Sequence, residues 1–430
     1  MRKRGAWSTP RAAVAVTAGL VLASASAIAP AAAGSTPDTR SPFVPGSVIT
    51  EWMTIADVTT ETEPDNRVPE TQIVEAYVAA AMYNAVVGIE GRYAPYKWQV
   101  RGPGTASSPA AAVAAAHRVL HHYFPQARDS LRASYTASLA ELPAGRARDE
   151  GVAFGKRAAD HVIALRARDG RGAQVPFSRP ATPGAWQPTP PRHTPFDTAW
   201  LGKLKPFALD SPRQFRPGPP PSLTSARYAK DYNEVKAYGV KTGSRRNARQ
   251  TDTAHFFTEL DITKALGDHA SRHRFDITDT ARLYAAANTA QADAVIAAWD
   301  AKLHYGSWRP VTAIRHQGDD GNPATTPAAD WEPLLVTPSH PDYLSGHATT
   351  AGALSRALTR LLGSPLIDLN VRSHRTGKTR HYGHAWQYDK DAVDARVFAG
   401  IHTRTADTVG NATGHRVADW VLDRYFQPLR

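Results

Sequence analysis

The chain has 430 residues, no cysteine and a formal net charge of +12 with histidines counted as neutral. The lack of cysteine excludes disulfides, thiolate metal ligands, cysteine nucleophiles and a lipoprotein anchor. The positive charge favours anionic ligands. The sequence has no zinc-finger spacing, RNA-recognition signature or dense basic helix, so nucleic acid is not an expected partner.

The amino terminus has the pattern of a secretory signal peptide. A basic start, MRKRG, precedes an apolar run over 12–29 and small residues that favour cleavage near Ala33. Removal of residues 1–33 takes away four basic residues, so the mature charge is about 12 − 4 = +8. No later segment has about 18 unbroken apolar residues. The expectation is a secreted, extracellular protein without stable membrane insertion.

Apolar residues at helical spacing recur along most of the mature chain, and no alternating run favours a substantial sheet. The predicted fold class is therefore all-α, with helical bundles and a long proline-rich excursion. Helices are predicted over 69–90, 109–123, 146–168, 226–236, 277–304, 345–362 and, with breaks at glycines, 392–425.

Five regions follow from composition: a signal peptide at 1–33, a flexible segment at 34–48, an N-terminal helical region at 49–174, a proline-rich connection at 175–225 and a C-terminal helical bundle at 226–430. Proline is excluded from helix interiors and central strands, so the connection should cross the surface. Its aromatic residues, such as Trp186 and Phe207, are too apolar to stay in water and should pack on the helices.

The stretch KLHYGSWRP places Lys302 and Arg309 seven residues apart. On one continuous helix this spacing puts both cations on the same face, about 10 Å apart. Pro310 is then expected to end the helix directly after Arg309. By itself the pair is most simply interpreted as a solvated helix face.

A second segment, SGHATTAGA over 345–353, has the pattern of a helix start. Ser345 is a good N-cap, and Gly346 would let an oxyanion approach the free N–H groups of the first turn. A third segment, ARVFAGIH over 395–402, adds Arg396 and His402. Each segment alone has an ordinary structural explanation, as a capped helix or a core helix.

Together the three segments provide cations, a hydroxyl, a glycine and two imidazoles. Guanidinium groups donate paired hydrogen bonds to oxyanions, and lysine adds a compact charge. One imidazole can bind or attack the central atom, while the other transfers a proton near neutral pH. The combination therefore predicts an active site for an oxyanion.

The pattern KxxxxxxRP, then SGH, then RxxxxxH resembles the signature of vanadium-dependent haloperoxidases and the type 2 phosphatidic acid phosphatase superfamily. Longer segments, AAMYNAVVGIEGRYAPY, PGAWQPTPP and TPSHPDYLSGHAT, resemble the bacterial secreted haloperoxidase-like branch. The resemblance extends over about residues 50 to 427 and implies helical bundles around the oxyanion site.

The resemblance implies vanadate as cofactor, with hydrogen peroxide, a halide and a small organic acceptor as reaction partners. His402 would be the vanadium ligand and His347 the acid/base. The other implied vanadate-binding residues are Lys302, Arg309, Ser345, Gly346 and Arg396. The resemblance also makes His340 a candidate for a halide role, with a loop histidine as the alternative. Trp299, one turn before Lys302, is a candidate to line the site, with an ordinary core position as the alternative.

The same residues suit a second chemistry. In a soluble secreted acid phosphatase, a phosphoric monoester hydrolase without vanadate, His402 would attack the phosphorus of a phosphate ester and His347 would protonate the leaving group. A catalytically weakened oxyanion-binding protein is a third hypothesis. The sequence does not choose among them, and it does not indicate halide preference or oligomeric state.

One departure from the family pattern concerns the partner of His402. An aspartate usually lies four residues after this histidine, but Ala406 takes that position and Asp407 follows it. Asp407 is turned by about 100° around a helix. Either Asp407, a backbone carbonyl or water would therefore have to orient the imidazole.

Overall fold

The computed structural model describes residues 43–62 and 68–429. The predicted signal peptide at 1–33 lies outside these residues, and so does 34–42. The described residues contain thirteen α-helices: α1 Ser47–Glu61, α2 Val68–Glu90, α3 Ser108–Tyr123, α4 Arg128–Ala140, α5 Arg146–Arg166, α6 Ala226–Tyr238, α7 Ala248–Phe256, α8 Ile262–Arg272, α9 Ile277–Tyr305, α10 Pro310–Arg315, α11 Gly346–Leu362, α12 Ala385–Phe398 and α13 Arg404–Arg424. The all-α prediction is confirmed.

Six predicted helices begin and end within two residues of their predicted bounds: α2, α3, α5, α6, α9 and α11. The helices α1, α4, α7, α8 and α10 were not predicted. Of these, α4 and α7 are mostly polar and bury few residues. Because each has so few buried apolar side chains, the spacing of apolar residues alone does not identify them.

The core is formed around α2 and α9, two long helices with almost every residue buried between neighbours. Pro69–Glu90 is long and apolar enough to cross a membrane by length and composition, but 89% of its most apolar stretch is buried inside the protein. A core helix satisfies the same criteria, because it is apolar around its whole circumference.

Near the predicted site, α11 and α13 approach each other at glycines. A Cβ on Gly414 would lie 2.0 Å from the Thr349 carbonyl oxygen, and one on Gly352 would lie 2.3 Å from the Asn411 carbonyl oxygen. Only glycine permits this separation. The close packing brings the first turn of α11 against the first turn of α13, where the Ser345 N–H donates to the Ala406 carbonyl at 3.1 Å.

A small sheet was not predicted. Its three antiparallel strands, in the order β1-β2-β3, are β1 Leu260–Asp261, β2 Leu366–Ser373 and β3 Thr379–His384. The sequence LIDLNVRS does alternate, and Ile367, Leu369 and Val371 are fully buried. This alternating segment is short, so its sequence alone does not distinguish a strand from a loop between two helices.

The proline-rich connection lies against the helices and contains a short 3-10 helix at Ala199–Lys203. Trp186 and Phe207 are buried, and Phe196 and Phe215 are partly buried against the main core. The division of the chain into the five predicted regions remains a prediction.

Glu75 on α2 is a buried acid. It accepts a hydrogen bond from the Thr263 hydroxyl at 3.2 Å, and burial together with the negative charge of Asp57 raises its pKa to about 8. The folded state therefore binds more protons than the unfolded state between the ordinary glutamate pKa and about 8. In this window the contribution of Glu75 to stability falls as pH rises.

Replacing Glu75 with glutamine is expected to remove this dependence, because the amide keeps an acceptor for Thr263 and cannot ionise. Between pH 5 and 9 the wild type should lose on the order of 1 to 3 kcal/mol more stability than the variant. Urea unfolding at both pH values measures the difference. The exposed Glu141→Gln serves as control, and an equal pH slope in wild type and Glu75→Gln would contradict the assignment.

Candidate active site

The predicted site residues lie at the ends of helices that meet in the C-terminal half of the chain. Lys302 is in the last turn of α9 and Arg309 is the N-cap of α10. Ser345 is the N-cap of α11, Arg396 is in the last turn of α12, and His402 lies in the short connection to α13. Backbone N–H and C=O groups at helix ends have no partner within the helix. The site is therefore surrounded by polar backbone groups although no helix is interrupted.

The two cations of KLHYGSWRP are not on one helix, contrary to the sequence-based expectation. α9 ends at Tyr305, and Gly306 caps it with φ 55°, in the left-handed region. Pro310 is the first residue of α10, so it begins a helix and does not end one. A proline is well suited to this position, since the first N–H of a helix has no internal partner. Lys302 and Arg309 therefore reach the site from separate elements.

Lys302 is fully buried and donates from Nζ to the carbonyl oxygens of Pro341 and Asp342, at 2.6 Å and 3.2 Å. Its ammonium lies 5.5 Å from the centroid of the Trp299 ring. Burial lowers the pKa of Lys302 well below its usual value, and the neighbouring Arg309 lowers it further. An anion at the site would restore the favourable charge balance of the ammonium form.

Arg309 is also fully buried and uses its guanidinium to connect two histidines. Nε donates to the His340 carbonyl at 2.6 Å, and Nη2 donates to His340 Nδ1 at 2.9 Å. Nη1 donates to the Ile401 carbonyl at 2.5 Å and to His402 Nε2 at 3.0 Å. Burial lowers the pKa of Arg309 to about 10, so it is still cationic at neutral pH.

The two neighbours of His402 define its tautomer. An arginine only donates, so Nε2 of His402 must present a lone pair to Arg309. Nδ1 then carries the proton and donates to Asp342 Oδ1 at 2.5 Å. Burial first, and then the charges of Arg309, Lys302 and Arg396, lower the pKa of His402 well below its ordinary value. The ring is therefore neutral at pH 7.

Asp342 is the functional residue that sequence reasoning missed. It is buried, and its second oxygen accepts a hydrogen bond from the Thr403 hydroxyl at 2.6 Å. Burial raises its pKa to about 6, which leaves it mainly ionised at neutral pH. The only sequence signal was an acid three residues before Ser345, sixty residues from His402.

Asp407 does not orient His402. It is fully buried in the first turn of α13, and neither carboxylate oxygen has a hydrogen-bond partner among the described residues. Burial raises its pKa well above the ordinary value. The carboxylate partner left open by the sequence is thus Asp342 and not Asp407.

Arg396 offers a buried donor suited to an anion. Nη1 donates to the Phe257 carbonyl at 3.2 Å, but its buried Nε has no partner among the described residues. Its pKa is lowered to about 10 by burial. Within the described part of the chain, the site buries three basic side chains, Lys302, Arg309 and Arg396, with two acidic ones, Asp342 and Asp407. An oxyanion would balance this excess and accept the unused donor, so vanadate or phosphate fits these residues.

The start of α11 closes the site from another side. Ser345 accepts from the Ala348 N–H at 3.4 Å, as an N-cap does. A Cβ on Gly346 would lie 2.7 Å from Cζ3 of Trp299, so glycine is required here by the packed indole. The structure thus adds a packing reason to the predicted role of Gly346 in letting an oxyanion approach.

His347 is the exposed member of the group, whereas Lys302, Arg309 and Ser345 have no exposed surface. The positive charge of Arg396 is the main cause that lowers the pKa of His347 well below its usual value, and desolvation of the imidazole is the second. A neutral imidazole that solvent can reach is suited to accept a proton from an incoming molecule.

His340 and Trp299 lie beside each other at the site. Their ring centroids are 4.9 Å apart, His340 is half-buried and Trp299 is 3% exposed. Burial and the charges of Lys302 and Arg309 lower the pKa of His340. The structure therefore brings together the predicted site residues, although Asp407 makes no hydrogen bond to His402.

Comparison with known proteins agrees with the resemblance. Residues 282–430 match the family model for the VCPO second helical-bundle domain. The vanadium chloroperoxidase of Curvularia inaequalis is 24% identical over 362 residues, which cover 62% of this chain and 58% of that protein. The chain thus aligns with little more than half of that relative's length.

Solved structures of bacterial vanadium-dependent haloperoxidases share the fold. The crystal structure of the first bacterial vanadium-dependent iodoperoxidase superposes with a TM-score of 0.73 at 24% identity, over 89% of this chain and 96% of that one. A holo-type bacterial vanadium-dependent chloroperoxidase superposes with a TM-score of 0.67 at 19% identity, over 85% and 95% of the two chains. The helical-bundle fold and the resemblance to vanadium-dependent haloperoxidases are confirmed.

Proposed function

We propose that this chain, which resembles the vanadium-dependent haloperoxidases in sequence and fold, is an exported enzyme that binds vanadate and oxidises a halide with hydrogen peroxide. One observation carries the proposal. The unprotonated Nε2 of a neutral His402 lies among three buried basic side chains, and one of these, Arg396, has an unused donor. The export part rests on the amino-terminal sequence pattern.

His402 would hold vanadate through Nε2. Lys302, Arg309, Arg396, the Ser345 hydroxyl and the Gly346 N–H would donate to its oxygens. Because Arg309 now donates to Nε2, this nitrogen becomes available only when Nη1 transfers its hydrogen bond to the anion. Arg309 keeps its bonds to the His340 and Ile401 carbonyls during that change, so the guanidinium needs little movement.

Bound vanadate supplies a Lewis-acid centre that activates hydrogen peroxide toward a halide without changing oxidation state. His347 is the residue suited to take the peroxide proton, because it is neutral and exposed. The ionised Asp342 holds the Nδ1 proton of His402 and keeps the ligand nitrogen basic. His340 and Trp299 would form the wall along which the halide approaches.

The proposal is tested with protein purified from the culture medium, whose amino terminus should begin near Gly34. Chelator-dialysed enzyme is assayed with peroxide, a dye acceptor and chloride, bromide or iodide, before and after addition of vanadate. Parallel reactions contain an aryl phosphate. Halogenation that appears only with vanadate is the expected result.

The other outcomes count against the proposal in different ways. Aryl phosphate hydrolysis that vanadate inhibits, without halogenation, would favour the phosphatase. Vanadate binding without either activity would favour an oxyanion-binding protein. Absence of vanadate binding would contradict the assignment of the site itself.

A further inference from the structure

A second group of metal-ligating side chains lies on α8 and β2, apart from the oxyanion site. His269 lies in the last turn of α8, and His273, four residues later, is the C-cap of this helix, so the two side chains lie on the same side. Their ring centroids are 4.3 Å apart. Asp368 faces them from β2, at the point where the β2–β3 register shifts, and has φ 39°.

His269 offers an unused nitrogen. Its Nδ1 lies 3.2 Å from the Asp368 carbonyl oxygen, which can only accept, so Nδ1 carries the proton. The other nitrogen, Nε2, is buried without a hydrogen-bond partner among the described residues, and the residue is 1% exposed. A backbone carbonyl that fixes the tautomer of a histidine is the usual support of a metal ligand.

The remaining contacts converge on the same carboxylate. His273 Nε2 lies 2.7 Å from Asp368 Oδ2, and His381 Nδ1 on β3 lies 3.7 Å from Asp368 Oδ1. One ligand atom each from His269, His273 and Asp368 lies within 4.8 Å of the other two. A modest contraction would bring three ligands to bonding distance of one ion.

We propose that His269, His273 and Asp368 bind a divalent first-row transition metal, with Zn²⁺ as the probe of choice. Two imidazoles and one carboxylate suit zinc, whereas Ca²⁺ and Mg²⁺ require oxygen ligands. His381 or water would complete the coordination. The ion would fasten the β2–β3 hairpin to α8.

Arg272 is the main competitor of the metal. Its Nη2 donates to the Asp368 carbonyl at 2.6 Å and lies 3.3 Å from Oδ2. A metal ion would replace the longer contact, between Arg272 Nη2 and Asp368 Oδ2. The shorter hydrogen bond from Arg272 to the Asp368 carbonyl can remain. Without metal, the same residues form a hydrogen-bonded contact between helix and hairpin, which is the alternative that the experiment must exclude.

The test uses the full chain after dialysis against chelator. Zn²⁺ is titrated in competition with a chromophoric chelator, and Co²⁺ is added separately to observe the intense visible bands of tetrahedral coordination. One equivalent of bound metal, with a Zn²⁺-dependent rise in Tm, is the expected result. His273→Gln and Asp368→Asn should each weaken binding by at least about 10-fold.

Both variants alter partly exposed side chains, and both keep a hydrogen-bonding group, so they should remain folded. His304→Gln, which changes an exposed histidine at the end of α9, is the matched control and should bind as the wild type does. Uptake of no metal by the wild type, or equal uptake by wild type, His273→Gln and Asp368→Asn, would overturn the proposal.

Discussion

Replacing His402 with alanine is expected to abolish vanadate-dependent halogenation and to weaken vanadate binding by more than about 100-fold. The expected loss exceeds the roughly 10- to 100-fold effect of removing an outer partner of a ligand, because the ligand itself is deleted. Calorimetric titration of vanadate and the dye assay measure the two effects separately.

The variant will also be less stable, since it leaves Asp342 Oδ1 buried without its 2.5 Å partner, at a cost of about 1 to 3 kcal/mol. Circular dichroism at the assay temperature must therefore establish that it is folded. His415→Ala is the matched control, because it removes another imidazole bonded to an aspartate, Asp389, at 2.9 Å in the same half of the chain. Activity in His415→Ala should stay within a factor of about three. Full turnover by a folded His402→Ala protein would refute the site.

Replacing Asp342 with asparagine should weaken vanadate binding by about 10- to 100-fold while the protein stays folded. The amide oxygen can still accept from His402 Nδ1, but the negative charge that makes the imidazole basic is lost. The change should appear mainly as a higher vanadate Kd. At saturating vanadate, kcat should fall less, which a general loss of structure would not produce.

Comparing Asp407→Asn with Asp342→Asn shows which of the two carboxylates orients His402. Asp407 lies next to the position where the family pattern has its aspartate, yet it makes no hydrogen bond to His402 among the described residues. Its removal should change vanadate Kd by no more than about threefold. If vanadate affinity falls in Asp407→Asn and not in Asp342→Asn, the assignment of Asp342 as the residue that orients His402 is wrong.

The helices and motif segments were accessible from sequence because their signals are local. The N-cap at Ser345, the bounds of α9 and the long apolar stretch of α2 depend on residues within a few turns of one another. The three motif segments also indicated an oxyanion site, since cations, a capped glycine and histidines share one chemistry.

Other features depend on contacts between distant parts of the chain. The break at Gly306 separated Lys302 from Arg309, although their spacing suited one helix. The short hairpin and the group formed by His269, His273 and Asp368 likewise depend on tertiary packing, in the second case across about 100 residues. The spacing of residues along the sequence does not show which distant residues come into contact in the fold.

His402 shows what local sequence determines and what only the tertiary structure determines. Its place in RxxxxxH was enough to nominate it as a ligand, but its protonation depends on Arg309 and Asp342, which lie 93 and 60 residues away. Local sequence was sufficient to predict an all-α chain with the side chains of an oxyanion site. The packing of helix ends then selects the carboxylate that holds the histidine, because a hydrogen bond depends on separation in space and not along the chain.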